Sequence, residues 1–92
     1  MENYFHLQMD QKQVGAISNL GLAHIGDGVF ELLTRSWLCA HDRLTVGRMH
    51  KDTISMVKAT GLEALFGGLY LLGRTERINE LFVTVMEELY GI

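Results

Sequence analysis

The 92 residues carry a formal net charge of −3, a single cysteine (Cys39) and no proline. That length allows one domain over residues 1–92, and a domain so small has a marginal core unless something adds buried surface. One cysteine excludes a disulfide framework, which leaves association with a second copy as the source of that surface. The opening MENYFHLQMDQK lacks the basic-then-apolar pattern of a secretion signal. The longest apolar run, residues 62–72, is broken by Glu63, Gly67 and Gly68 and is too short to span a bilayer. A soluble, cytoplasmic protein is expected. The acidic total argues against nucleic acid. Residues 35–58, however, hold five basic side chains (Arg35, Arg43, Arg48, Lys51, Lys58) against Asp42 and Asp52, a local excess of +3. That excess is either surface scatter or a phosphate-facing patch beside an acidic site.

No stretch shows sustained β-branched alternation, so the expected class is all-α. A first helix is expected over residues 10–40, loosened at Gly15, Gly21, Gly26 or Gly28, because an interior glycine costs about 1 kcal/mol against alanine. Glycines at that density point to another backbone approaching closely. Ile17, Leu20, Leu22, Ile25, Val29, Leu32 and Leu33 cover more than one face, which makes this helix central. A turn follows over residues 41–44. Thr45 is a suitable N-cap for a second helix over residues 46–58. A third helix is expected over residues 60–72, ended by Gly73. Thr75 is expected to cap a fourth, with Glu76 favourable in its first turn. Its stripe of Ile78, Leu81, Phe82, Val85 and Leu89 has helical spacing, and Gly91 supplies a stop.

Two segments set carboxylates among glycines and apolar residues: LAHIGDGVFEL at 22–32 and ATGLEALFGGLY at 59–70. A buried carboxylate is costly unless it is paired, hydrogen-bonded or bound to metal. Asp27 and Glu63 are therefore either capping or helix-to-helix hydrogen-bonding groups, or ligands. Mg²⁺ suits such hard oxygens, because it keeps several waters and needs only one or two protein carboxylates. His24, Asp27 and Glu31 share one helical face. Glu31 also stands four residues before Arg35, the favourable order for an ion pair, which is an alternative role for it. A partly buried structural histidine is the alternative for His24.

Together, the two segments resemble the paired motifs of the ribonuclease III catalytic domain. LAHIGDGVFEL is similar to its signature helix, and ATGLEALFGGLYLLG to its second acidic motif. RMHK at 48–51 and ATGLEAL at 59–65 resemble the Mini-III branch, which has no separate double-stranded-RNA-binding domain. The resemblance implies a ribonuclease III-like helical fold, dimeric through the signature helix. It also implies Mg²⁺-dependent endonuclease cleavage of double-stranded RNA, with ribosomal RNA precursor as the substrate class and Mn²⁺ able to replace Mg²⁺. Asp27 and Glu63 become the catalytic metal ligands, with Glu31 and His24 beside them. Arg43, Arg48, His50, Lys51 and Lys58 become the phosphate contacts. Gly26, Gly28, Phe30 and Trp37 become candidates for the two-fold contact, although intrachain core serves equally well for the two aromatics.

Three departures qualify the match. Ala23 and Thr60 stand where full-length ribonuclease III often has further acids; the Mini-III branch is similar to this sequence at both points. The middle is also short, because residues 52–58 lead almost directly into ATGLEAL, where Mini-III proteins usually have a few tens of residues more. A natural deletion, an engineered one and a stretch missing from the sequence all fit. A true deletion would let the second and third helices fuse or swap between subunits and would weaken RNA binding. It also motivates a rival function, a catalytically inactive dimeric RNA-binding or assembly factor on the same fold.

Overall fold

Asp10 begins the first helix through a reciprocal cap. Its carboxylate accepts from the Gln13 backbone N–H at 2.7 Å, and the Gln13 side chain accepts from the Asp10 N–H at 3.0 Å. In the computed structural model, which describes residues 1–41 and 61–91, this helix is only α1 (Gln11–Gly15). The chain breaks over residues 16–18 and restarts as α2 (Asn19–Ala40). The single helix expected over residues 10–40 is thus two. Ser18 is the cause: it is extended (φ −62°, ψ 154°), and its hydroxyl accepts from Gly21 N–H at 3.0 Å. A serine cap between Gly15 and Gly21 satisfies the backbone better than a helix run through two glycines.

After α2 come α3 (Leu62–Leu71) and α4 (Thr75–Tyr90), with no strand among the described residues. The all-α expectation holds. The second expected helix, over residues 46–58, and most of the turn before it lie outside the described residues, as does Thr60. Thr75 is the first helical residue of α4 rather than its cap; the cap position is Arg74, with no side-chain hydrogen bond. Glu76 does lie in that helix's first turn. Gly73 ends α3's last turn at φ 78°, a left-handed conformation that glycine adopts without a β-carbon penalty. The N-terminal segment crosses there: Met9 N–H donates to Leu71 O at 2.8 Å. Gly91 terminates α4 in the same left-handed region (φ 67°).

The buried residues of α2 are Gly26, Phe30, Thr34 and Leu38, a four-residue stripe along one side of the helix. α3 lies against that stripe, antiparallel to it, with Gly26 against Glu63 and Leu22 against Gly67. Below this crossing, Phe30 (1% exposed) stacks on Phe66 (0%) at 5.3 Å between ring centroids, and meets Phe82 of α4 edge-on at 5.7 Å. Ile78, Val85 and Met86 complete the core. Each such side chain contributes roughly 1.5–3 kcal/mol by leaving water. Thr34, also buried, donates its hydroxyl to Phe30 O at 2.9 Å, so its polarity is satisfied within the helix. Other apolar residues expected to make α2 central remain outside: Leu20 is 82% exposed and Leu32 54%. No helix among the described residues is long and apolar enough to cross a membrane.

Candidate active site

Glycine brings the two acidic motifs together. A β-carbon on Gly26 would overlap the carbonyl oxygen of Glu63 and come within 2.9 Å of Gly67 N. A β-carbon on Gly67 would overlap the carbonyl oxygen of Leu22 and stand 3.1 Å from Gly26 N. The backbones of α2 and α3 therefore touch at two points one helical turn apart. Glu63 is itself one of the contacting residues. Asp27 follows Gly26 directly, so its Cα is one step of about 3.8 Å from a residue touching Glu63. Both acids are half-buried. Among the described residues, no group of three or more His, Cys, Asp or Glu side chains gathers as a metal cage. Two half-solvated carboxylates on touching helices are nevertheless a donor set that Mg²⁺ accepts, because water fills its other positions.

The neighbours of Asp27 divide. Glu31, half-buried, makes the ion pair with Arg35 that its spacing allowed, at 3.9 Å. At this exposure the pair contributes about 0.3–0.5 kcal/mol. His24 is exposed on α2 rather than partly buried.

Two of the four residues expected at a two-fold contact face inward within one chain. Gly26 is buried under the Glu63 backbone, and Phe30 is enclosed by Phe66 and Phe82, so neither offers surface to a second copy. The Gly-Asp motif needs its glycine for the crossing of α3, and the aromatic three residues beyond Asp27 anchors the chain's own core. Gly28 is exposed, with nothing within 4 Å of its β-position. Trp37 is half-buried against the core. His41 stacks on it at 4.1 Å, and the Trp37 carbonyl accepts from His41 Nδ1 at 2.8 Å. The phosphate-contact candidates Arg43, Arg48, His50, Lys51 and Lys58 all lie outside the described residues.

Two hollows lie away from the acids. One, of about 490 Å³, is lined by polar groups at the turn into α4, including Arg74, Arg77 and Glu80. It sits past the far end of α3, and the helix from Glu63 to Leu71 puts roughly 12 Å between that end and Glu63. The other, about 170 Å³ and apolar, lies between Phe5, Leu32, Leu33, Tyr70 and Ile78. Neither is lined by Asp27 or Glu63. Gly67 is the contributor that the sequence argument did not single out. Its signal was a glycine four residues after the motif acid in an otherwise apolar helix.

No family model and no solved structure matches the chain. Among curated proteins, it is similar to a Mini-ribonuclease 3 of Thermoanaerobacter sp. (strain X514). The two are 29% identical over 128 aligned positions, covering 87% of this chain and 90% of that protein. It is also similar to a Mini-ribonuclease 3 of Clostridium tetani (strain Massachusetts / E88), 26% identical over 133 positions, covering 94% and 88%. Of the 92 residues, 87% is about 80, so about 48 of the 128 positions face no residue of this chain. The second alignment gives nearly the same deficit: 94% is about 86 residues, which leaves about 47 of 133. That size agrees with the short middle read from the sequence.

Proposed function

With the chain assigned to the Mini-III ribonucleases, and so to the ribonucleases of the ribonuclease III family, we propose that it is a single-domain, Mg²⁺-dependent endoribonuclease acting on double-stranded RNA. Mn²⁺ serves in place of Mg²⁺. The supporting observation is the backbone contact between Gly26 and Glu63, which holds the two motif acids on touching turns of α2 and α3. Asp27 and Glu63 would hold the cation, with Glu31 and His24 beside them on α2. When bound, the cation supplies charge neutralisation to the phosphate and activation of the attacking water. Arg43, Arg48, His50, Lys51 and Lys58 hold the phosphates. Recognition then follows A-form shape and 2′-hydroxyls more than base sequence. Two copies pair through the exposed side of α2, around Gly28. Such a two-fold arrangement presents two equivalent sites to the antiparallel strands of a duplex. Ribosomal RNA precursor is the substrate class and the cytoplasm the compartment.

The test incubates end-labelled duplex RNA and Mg²⁺ with the parent, Asp27→Asn and Glu63→Gln, and measures binding from 50 to 200 mM salt. A cation ligand contributes several kcal/mol to the transition state, so each variant should lose about a hundredfold or more in cleavage rate. Binding should weaken as salt rises, because phosphate contacts release counterions. Cleavage persisting unchanged in both variants, or a flat salt response, refutes the assignments. A second reading, a catalytically inactive dimeric RNA-binding or assembly factor, is favoured by the deficit of about 48 positions and the small acid set. Intact binding with no cleavage by the parent would select it.

A further inference from the structure

We propose that Gly26 and Gly67 are positioning residues for the acid pair, their reciprocal backbone contact setting the separation at which Asp27 and Glu63 share one divalent cation. This rests on reading those two acids as metal ligands. Gly26 meets Glu63 and Gly67 meets Leu22. The two contacts are four residues apart on each helix, so they fix both the distance and the rotation of α2 against α3 at this point. Glu63 belongs to one contact, and Asp27 is one residue from it. A β-carbon at either glycine overlaps backbone rather than the flexible end of a side chain, so one helix must move away by something on the order of 1 Å. Mg²⁺ demands ligand oxygens at about 2.0–2.1 Å, and metal sites tolerate only a few tenths of an ångström. A displacement that the core absorbs is therefore too large for a shared cation. Gly68 provides the internal comparison: its β-carbon would lie 3.9 Å from Val14 Cγ1, an ordinary contact, so alanine there leaves the crossing alone.

The test titrates Mn²⁺ into the intact chain, follows free metal by electron paramagnetic resonance, and checks each variant's fold by circular dichroism. Gly67→Ala should stay helical and bind Mn²⁺ at least about tenfold more weakly, whereas Gly68→Ala should bind within about twofold of the parent. Asp27→Glu alone should weaken binding, yet combined with Gly67→Ala it should recover part of the loss, because its longer side chain spans the wider gap. A folded Gly67→Ala that binds Mn²⁺ like the parent, while Asp27→Asn and Glu63→Gln do not, overturns the positioning role and leaves the acid pair standing. A parent that binds no Mn²⁺, or acid variants that bind as well as it does, overturns the acid-pair reading and this inference with it. Hydrogen exchange on the unmodified chain covers the case of an unfolded Gly67→Ala. Mn²⁺ should slow exchange over residues 22–26 and 63–67 more than over α4, and equal slowing overturns the coupling of cation to crossing.

Discussion

Replacing Phe66 with alanine should remove a large share of the stability of this chain. Phe66 is completely enclosed, stacks on Phe30 at 5.3 Å, and belongs to the cluster that joins α2, α3 and α4. A buried phenylalanine truncated to alanine typically costs 3–5 kcal/mol, combining lost transfer energy with the cavity left behind. Folded domains hold about 0.05–0.15 kcal/mol per residue, which for 92 residues is roughly 5–14 kcal/mol in all. The substitution thus removes between about a fifth and all of it. At about 4–8 °C per kcal/mol for a domain of this size, the melting midpoint should fall by at least about 12 °C. Phe66→Leu keeps most of the volume and should cost only about 1 kcal/mol. Tyr4→Ala, at a side chain 70% exposed, should move stability by no more than about 0.5 kcal/mol. Thermal and urea unfolding followed by circular dichroism, at one fixed chain concentration, measures all three. A Phe66→Ala midpoint within about 3 °C of the parent would show that the core does not centre on this ring.

Ser18→Ala removes the hydroxyl that accepts from Gly21 N–H and should cost about 1 kcal/mol, measured by urea unfolding; no loss would mean that the break between α1 and α2 does not depend on the cap. Gly28→Ala separates two pictures of α2. In an isolated chain, the open space around Gly28 and the better helix propensity of alanine predict a gain of about 1 kcal/mol. In a pair of copies crossing at Gly28, the added methyl should raise the dimer dissociation constant about tenfold, a change of about 1.4 kcal/mol. We expect the second outcome by sedimentation equilibrium. A higher melting point with no change in association would refute the pairing through this part of α2.

The apolar stripe of α4 and the stops at Gly73 and Gly91 could be read directly, because a period near 3.6 residues and a left-handed glycine are local signals. The break at Ser18 was hidden by a competition that spacing does not resolve. Apolar residues at Ile17 and Leu20 continue the helical pattern across it, while the serine's cap outweighs that continuity. The fate of Phe30 was hidden for a different reason. An aromatic residue on a helix with apolar residues on several sides fits a partner surface and a private core equally well. Only the position of α3, set by long-range packing, decides between them. The glycines carried the most information. Their density called for a close backbone, and that backbone is α3, contributed by the chain itself.

The short middle and the crossing of α2 with α3 bear on each other. The contacts between the motif helices use residues 22–30 and 63–67, and the ring cluster adds α4; all of these are present in a chain that leaves about 48 of 128 aligned positions unfilled. The crossing and the ring cluster thus rest on residue pairs between helices that this chain still holds. If the missing residues are those between RMHK and ATGLEAL, as the resemblance implies, the loss falls beside the residues proposed to contact phosphate. Binding and chemistry should then separate. Shortening would raise the RNA concentration needed for half-maximal rate while sparing the rate at saturation, because contacts made equally in the ground and transition states affect KM and not kcat. A chain that had instead lost the chemistry would bind RNA and leave it intact at any concentration.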